Sequence, residues 1–292
     1  VYDKANVYND AWAFGNAEIF GDANVYDNAL VCDDAVVCGK ARVSDNAHIC
    51  GNVKVYDNAQ VFGKAQVYGN AKVYENASVF DCAHVFGNAQ VCGNAEIIGN
   101  AQIHDKASIF DNAHIFDNAE VFGDAAVTED ARVYENAMVF DHAQVYDNSE
   151  VYGKAEVYGK AVILAKAEVY GHAWVYGNAG VLGNAKVYDD TYVFDNAKIG
   201  GDANVFDCAQ VGDNAEIYGN AKVKSINDYA VFKNFWNSGR YFTWTKSNDM
   251  WKTRYFYGTG DELIEKAYLD NEENGNNYKA IINAVKQINN GK

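Results

Sequence analysis

A six-residue pattern of apolar and polar positions runs without interruption from Ala5 to Ile226 and repeats 37 times. Its first position is Ala in 34 repeats and its third is Val or Ile in 36, while the second position varies. This alternation of apolar and variable positions predicts a short β-strand. The fifth and sixth positions are mostly Gly or Asp followed by Asn, Asp or Lys, residues that favour tight corners and positive φ angles. Each repeat is therefore predicted to form one strand and one corner.

A strand and a corner that recur at constant spacing predict a coiled chain. Three such sides close a triangular coil of about 18 residues, and successive coils pair through backbone hydrogen bonds at a rise of about 4.8 Å. The 37 repeats then give about 12 coils, or a rod on the order of 58 Å long. The narrow interior has room for small Ala and Val or Ile side chains. The absence of Pro from the chain agrees with a backbone that pairs along the axis.

The repeats, such as AEIFGD at Ala17 and AHIFDN at Ala113, resemble the hexapeptide-repeat family in their Ala-x-Ile/Val-x-x-Asn phase. The resemblance covers about three quarters of the chain, and it implies a single-stranded left-handed parallel β-helix. The handedness comes from this resemblance alone. The predicted fold is therefore all-β, with about 12 triangular coils followed by a small α+β cap domain at the C-terminus.

The repeat ends at Ile226, which divides the chain into a β-helix at 1–226 and an α+β domain at 227–292. In the second part, aromatic residues alternate with polar ones between turn-forming Asn, Ser and Gly residues, which predicts a three-stranded antiparallel sheet. A capping box that begins at Thr259 and a later amphipathic stretch predict two helices. The predicted strands span 229–236, 240–245 and 250–257, and the predicted helices span 259–269 and 277–288.

Two roles are open for the C-terminal domain. It can cap the rod, because an open coil end exposes unpaired backbone groups and apolar side chains. It can also recognise a partner through an aromatic and cationic patch. The candidate binding residues of that patch are Trp236, Arg240, Trp244, Trp251 and Arg254.

The acidic charge of the chain is concentrated in the repeat. The chain has a net charge of −16, of which residues 1–224 contribute −17 and residues 225–292 contribute +1. We expect no direct binding of nucleic acid or of an anionic membrane by the rod, because both require a basic surface. No apolar run reaches the length of about 18 residues that membrane insertion requires. The acids are compatible with a basic protein partner, and the sharpest version is a DNA-mimic inhibitor of a basic nucleic-acid-binding protein.

Residues one coil apart are predicted to stack in columns along the rod. The fourth position is Tyr or Phe in 24 of the 37 repeats, which predicts aromatic ladders that pack ring on ring. One solvent-facing column of second positions is apolar at both ends, and it is either a face for self-association or an ordinary exposed surface. Its candidate residues are Trp12, Leu30, His48, His84, Met138, Trp174 and Tyr192.

Six cysteines lie in the repeat at spacings that do not form a disulfide framework. Free thiols are typical of a reducing compartment, so the expected location is cytoplasmic. Cys32 is predicted to lie one coil below Cys50, and His48 points the same way, so these three form a minimal set of zinc ligands. The alternative is that they are ordinary exposed side chains. No cofactor is expected.

These observations favour a non-catalytic acidic rod that acts as a protein-binding or scaffold module, with a protein partner or a second copy of the chain as its ligand. One alternative is an acyltransferase, because members of the hexapeptide-repeat family use a His near a trimer interface, and His48, His84 and His114 are the candidates. Against this alternative, aromatic residues occupy the fourth position and no loop interrupts the array. The other alternative is a surface or structural fibre protein.

Overall fold

The computed structural model describes residues 1–290, and in it the repeat forms a rod with three parallel sheets. The sheets contain 13, 12 and 12 strands, and each strand pairs with the strand 18 residues away. Gln66, for example, lies opposite His48 on one side and His84 on the other. The prediction of a parallel β-solenoid with about 12 coils is confirmed, and its left hand stays a prediction.

Most strands of the rod have two residues, which occupy the second and third positions of a repeat. The first sheet contains Asn6–Val7, Asn24–Val25, Arg42–Val43, Gln60–Val61, Ser78–Val79, Glu96–Ile97, His114–Ile115, Arg132–Val133, Glu150–Val151, Glu168–Val169, Lys186–Val187, Asn204–Val205 and Lys222–Val223. The second contains Trp12–Ala13, Leu30–Val31, His48–Gly51, Gln66–Gly69, His84–Val85, Gln102–Ile103, Glu120–Val121, Met138–Val139, Glu156–Val157, Trp174–Val175, Tyr192–Val193 and Gln210–Val211. The third contains Glu18–Ile19, Val36–Val37, Lys54–Val55, Lys72–Val73, Gln90–Val91, Ser108–Ile109, Ala126–Val127, Gln144–Val145, Val162–Ile163, Gly180–Val181, Lys198–Ile199 and Glu216–Ile217.

The first and third positions of the repeats fill the interior of the rod. Beyond the first coil, the Ala and Val or Ile side chains at these positions have no exposed surface. Two polar replacements are tolerated there because each hydroxyl reaches a backbone carbonyl. Ser149 Oγ donates to Tyr146 O at 2.7 Å, and Thr191 Oγ1 donates to Tyr188 O at 2.6 Å.

The corners have a left-handed backbone at the fifth position of the repeat. The φ angle is +59° at Asp27 and +72° at Gly93, for example. Adjacent coils are so close here that a Cβ added to Gly93 would lie 2.5 Å from Asp111 N. Where an acid occupies the corner, its carboxylate accepts a backbone N–H from the next coil, as Asp45 Oδ2 does from Gly63 N at 3.0 Å. The corner acids therefore take part in the axial hydrogen bonding.

A 3-10 turn at Ile226–Asp228 leads from the last coil into an antiparallel sheet of four strands and two helices. Consecutive strands of this sheet are neighbours. The first helix begins with a capping box, in which the side chains of Thr259 and Glu262 accept each other's backbone N–H. The strands, numbered here in chain order, are β1 (Tyr229–Lys233), β2 (Tyr241–Thr245), β3 (Met250–Thr253) and β4 (Phe256–Thr259), and the helices are α1 (Gly260–Asp270) and α2 (Glu272–Asn290).

The prediction of three strands in this domain is wrong, because the segment predicted as one strand at 250–257 folds back on itself. It turns at Arg254 and Tyr255, and Thr253 lies opposite Phe256. The turn has no Gly, Pro or Asn, so the alternation of aromatic and polar residues continues through it and conceals it.

Helix α2 begins at Glu272, five residues before the predicted start at 277. The sequence between these points is rich in Asn and includes Gly275, residues with low helix propensity. Tertiary packing overrides that propensity, because Gly275 lies against the ring of Tyr268 with no space for a Cβ.

The C-terminal domain covers backbone groups at the end of the last coil. Within the rod, the N–H groups at second positions donate to the following coil, so those of the last coil need other acceptors. Thr243 Oγ1 accepts from Glu216 N at 2.9 Å, and Ser247 Oγ accepts from Lys222 N at 2.6 Å. These contacts are those of a cap.

A half-buried ion pair also joins the domain to the rod. Lys252 Nζ lies 3.5 Å from Glu216 Oε2, and the two side chains are 15% and 22% exposed. The same ammonium lies 4.8 Å from the centre of the Tyr218 ring. Nearby, Tyr229 OH donates to Gln210 O at 3.0 Å. Loss of either charged partner would leave the other half-buried without its counter-ion.

An acid in the interior tests the assignment of the first and third positions of the repeat to the buried side. Val121→Asp is expected to lower the free energy of unfolding by about 3–5 kcal/mol, because it buries a carboxylate without a partner. Urea denaturation followed by circular dichroism measures the change. The control Gln144→Asp introduces the same residue at an exposed second position and should change stability by about 0.5 kcal/mol or less. Equal losses for the two variants would contradict the assignment.

Removal of the capping contacts should reduce the protection of the Glu216 and Lys222 amides against hydrogen exchange. In Thr243→Val and Ser247→Ala, the amides of Glu216 and Lys222 should exchange their hydrogens roughly fivefold faster, because each loses a hydrogen bond of about 1 kcal/mol. Hydrogen exchange followed by NMR or mass spectrometry measures this. Ser238→Ala, in the exposed turn between β1 and β2, should leave both amides unchanged. Unaltered exchange in the first two variants would show that the domain does not cap the coil through these bonds.

Candidate binding surfaces

One face of the rod is formed by the outward side chains of the second sheet, and we call it the aromatic face. It comprises the second and fourth positions of those repeats, from Trp12 to Gly212. Its fourth positions include a continuous stack in which neighbouring ring centres are 4.6–5.6 Å apart and the planes lie within 14° of parallel. The stacked rings belong to Tyr68, Phe86, His104, Phe122, Phe140, Tyr158, Tyr176 and Phe194.

The seven residues predicted as an association face lie in one column of the aromatic face. The register places each second-position residue opposite its counterpart one coil away, as with Trp12 and Leu30. Trp12 is 69% exposed and Trp174 is 36% exposed. Of the other five, His48 is exposed, and the half-buried ones are Leu30, His84, Met138 and Tyr192.

The aromatic face has little charge. Among its outward positions, Glu120 and Glu156 are the acids, and there is no Lys or Arg. His104 Nε2 lies 2.8 Å from Glu120 Oε1. The face of the first sheet is different, because it has ion pairs such as that between Lys186 Nζ and Glu168 Oε1 at 2.7 Å. The net charge of −17 on the repeat therefore lies mainly outside the aromatic face.

Towards the C-terminal end of the rod, the aromatic face has a cluster of rings in edge contact. The Trp174 ring lies 5.4 Å from that of Tyr192 at 67° and 6.5 Å from that of Tyr158 at 73°. Burial raises the pKa of Tyr158 and Tyr176, so these side chains remain neutral well above physiological pH. The cluster combines a large apolar area with hydroxyl groups, a combination that is enriched at protein interfaces.

The structure does not bring the candidate catalytic histidines together. His48 and His84 lie two coils apart on the aromatic face, with Gln66 between them. His114 lies in the first sheet, where its Nδ1 is 3.3 Å from Glu96 Oε2. Their placement adds no support for an acyltransferase. The fibre alternative and the expectation of no cofactor stay predictions.

Cys32 and Cys50 form a disulfide between adjacent coils. The expectation of free thiols is wrong for this pair, because stacking one coil apart brings the two Cα atoms to 4.7 Å, within the range that a disulfide requires. Cys32, Asp33 and Cys50 have ligand atoms within 4.8 Å of one another, but each sulfur is bonded to the other, and His48 is not part of the group. The predicted zinc set is therefore not assembled. The other four cysteines are free, and the cytoplasmic location stays a prediction.

The patch predicted in the C-terminal domain is wrong for Trp244 and Trp251. Trp251 is 1% exposed and Trp244 is 7% exposed, because they lie opposite each other on β3 and β2 and pack in the domain core. Trp236 is half-buried, and its Nε1–H donates to Asn274 Oδ1 at 2.9 Å. The indoles of Trp244 and Trp251 therefore stabilise the domain core and are not exposed to a partner.

A cleft of about 330 Å³ lies between two of the three hairpin turns of the C-terminal sheet and the two helices, and we call it the hairpin cleft. The turn after β1 contributes Arg240, and the turn after β3 contributes Tyr255. Helix α1 contributes Lys266 and Asp270, and α2 contributes Tyr278. The charged residues of the cleft are therefore cationic on balance, in a chain that is otherwise acidic.

Both arginines of the predicted patch approach one ring at the edge of the hairpin cleft. The guanidinium carbon of Arg254 lies 4.9 Å from the centre of the Tyr255 ring, and that of Arg240 lies 5.7 Å from it. Tyr255 is 69% exposed. Sequence reasoning missed Tyr255 and Lys266, because it placed the first inside a strand and the second on an unspecified helix face.

The floor of the hairpin cleft is a hydrogen-bonded polar group. Tyr278 is 9% exposed, and its hydroxyl oxygen accepts from Asn234 Nδ2 at 3.1 Å. Asp270 Oδ2 accepts from Asn274 Nδ2 at 3.2 Å. Burial raises the pKa of Tyr278, so its hydroxyl keeps its proton well above neutral pH and remains a donor.

Comparison with known proteins supports the repeat fold. A family model described as the YdcK Beta solenoid repeat matches residues 89–105, close to one coil of the rod. No curated protein matches the chain. Among residues 1–290, neither helix has the length and apolar run needed to cross a bilayer. The matched segment supports a β-solenoid, and it carries no information about a ligand or an activity.

The disulfide predicts a redox-dependent stability. Cys32→Ser is expected to lower the free energy of unfolding by about 3 kcal/mol, the value typical of a closed loop of this length. Reductant should therefore lower the unfolding temperature of the wild type and leave that of Cys32→Ser unchanged. Cys82→Ser removes an exposed free thiol and should behave as the wild type. A wild-type unfolding temperature that does not respond to reductant would contradict the pairing.

Proposed function

We propose that this chain is a non-catalytic scaffold rod that associates with a second copy of itself through the aromatic face. The observation that carries the proposal is a contrast of charge. The outward positions of this face hold two charged side chains, Glu120 and Glu156, whereas those of the first sheet hold eight and those of the third sheet hold five. Association through this face would leave both C-terminal domains free to bind other molecules.

Electrostatic repulsion limits which surfaces of two identical rods can meet. Opposing corner carboxylates repel each other within a Debye length of about 8–10 Å. Contact through the aromatic face places neutral side chains at the centre and leaves the corner acids at the hydrated rim, where salt screens them. The same arrangement, an apolar centre with a polar rim, is common in stable interfaces.

The size of the aromatic face reaches the lower bound for a specific dimer. The rod is on the order of 58 Å long, and the face extends roughly 10 Å along the strand direction, about three residues. The face therefore presents roughly 600 Å² per copy. Two such faces would bury about 1,200 Å² in total, which is the lower end of the range for stable interfaces. The area is sufficient if a few side chains contribute most of the binding energy, as is usual.

The cluster of rings around Trp174 is suited to contribute most of the binding energy. Trp and Tyr are among the residues that most often dominate interface energies. Trp174 and Tyr192 meet edge to face at 5.4 Å, so they form a raised apolar group beside the flat ladder. The ladder itself presents ring edges, because neighbouring rings such as Phe122 and Phe140 cover each other's faces at 4.8 Å.

A second candidate function is supported by the corner acids. Their carboxylates are fixed by backbone hydrogen bonds, as Asp141 Oδ2 is by Gly159 N at 3.2 Å and Asp189 Oδ2 is by Asp207 N at 3.2 Å. Fixed carboxylates along an edge suit the basic groove of a nucleic-acid-binding protein, which is the DNA-mimic hypothesis. Such binding would weaken steeply with added salt, whereas association through the aromatic face would not.

Sedimentation velocity tests the association. Wild-type protein should show a concentration-dependent dimer. Tyr192→Glu should raise the dimer Kd at least tenfold, equivalent to about 1.4 kcal/mol, because it places a carboxylate in the apolar cluster opposite another acidic rod. Circular dichroism verifies that the variant is folded.

The matched control is Gln144→Glu, which makes the same change of charge at a second position of the third sheet. It should dimerise as the wild type does. A wild type that stays monomeric at the highest concentration reached, or a Tyr192→Glu variant that dimerises normally, would refute self-association through this face.

A further inference from the structure

The hairpin cleft and its rim hold three cations beside aromatic rings. Arg240 and Arg254 lie 5.7 and 4.9 Å from the centre of the Tyr255 ring. Lys266 Nζ lies 5.6 Å from the centre of the Phe256 ring. Within the described part of the chain, none of the three has a carboxylate oxygen within 4.0 Å. The cleft therefore concentrates positive charge that the domain does not neutralise.

Two guanidinium groups at one ring repel each other unless an anion lies near them. Among the described residues that line the cleft, the one carboxylate is Asp270, and its Oδ2 accepts from Asn274 Nδ2 at 3.2 Å. Arg240 and Arg254 are exposed, so water screens their repulsion in part, and an external anion would compensate their charge directly. The planar fork of N–H donors on a guanidinium matches a carboxylate or a phosphate.

The floor of the cleft adds a directed donor. Tyr278 is nine-tenths buried, and its oxygen already accepts from Asn234 Nδ2 at 3.1 Å. Among the side chains and backbone groups that the structure describes, none accepts its proton. A buried hydroxyl donor without an acceptor is costly, and an oxyanion in the cleft would remove that cost.

We propose that the hairpin cleft binds a small ligand in which an oxyanion is joined to a flat ring. Arg240 and Lys266 bind the oxyanion, Tyr278 donates a hydrogen bond to it, and the exposed ring of Tyr255 stacks on the ring of the ligand. The volume of about 330 Å³ is at the lower end of small-molecule sites. A long nucleic-acid strand is excluded by charge, because the adjoining rod has −17 and repels a polyanion.

The oxyanion can come from a carboxylate or from a phosphate ester, and calorimetric titration of the full chain distinguishes the two. The probes are benzoate, phenyl phosphate and inorganic phosphate. At least one ring-bearing probe should bind with a Kd at least tenfold below that of inorganic phosphate. The tighter of benzoate and phenyl phosphate identifies the oxyanion. Its Kd should rise with ionic strength, because the contact is charge-assisted.

Variants assign the contacts. Arg240→Gln should raise the Kd of the tighter probe at least tenfold, and Tyr255→Ala should remove its advantage over inorganic phosphate. Tyr278→Phe should raise the Kd roughly fivefold, the effect of one lost hydrogen bond. The control Lys246→Gln removes an exposed cation of the same domain outside the cleft and should bind as the wild type. Thermal melts verify folding, and Tyr255 is exposed enough for its replacement to leave the core intact.

Absence of binding by both ring-bearing probes would overturn the proposal. Equal Kd values for Arg240→Gln and Lys246→Gln would overturn it as well. The hairpin cleft is separate from the aromatic face, so monomeric Tyr192→Glu protein should bind the probes as the wild type does.

Discussion

Backbone hydrogen bonds between coils 18 residues apart hold the rod together, and every other feature depends on their register. Most strands contribute two residues to their ladder, so stability comes from the repetition of weak units across many coils. A slip of one residue would exchange the buried and exposed positions. The interior tolerates no such exchange, because it is lined by Ala and Val or Ile side chains with no exposed surface. This constraint requires the same alternation of buried and exposed positions in every strand.

The same register allows the outward residues to vary without changing the core. Because each outward residue stacks on its counterpart, amides pair with amides, as Asn76 Nδ2 does with Asn94 Oδ1 at 3.1 Å, and rings stack on rings. Each face can then acquire its own chemistry without changing the core. One face has become nearly neutral and aromatic, while the corners have become acidic. A scaffold that presents one face poor in charge, flanked by acidic corners, follows from this separation, and association through that face is the function proposed here.

Other chemistry arises where the repeat ends. The last coil leaves backbone donors that Thr243 and Ser247 accept from, and this requirement accounts for a separate C-terminal domain. The domain is stabilised by its own aromatic core, which includes Trp244 and Trp251. Its hairpin turns are not fixed by the axial register, and they are free to converge with the helices on a cationic cleft. The two proposed binding surfaces therefore have different origins, one in repetition and one in its interruption.

The sequence by itself determined the solenoid, its 18-residue period, its buried columns and the column that contains Trp12 and Trp174, because a repeated unit of six residues has one solution that is applied in every coil. It also showed that Cys32 and Cys50 would be neighbours. The tertiary structure decided that these sulfurs are joined and that β3 and β4 are separate strands. It also decided that the indoles of Trp244 and Trp251 point into the core and that the hairpin cleft forms. These features depend on single contacts between distant residues, such as Asn234 and Tyr278 at a separation of 44 positions, for which no local periodicity exists.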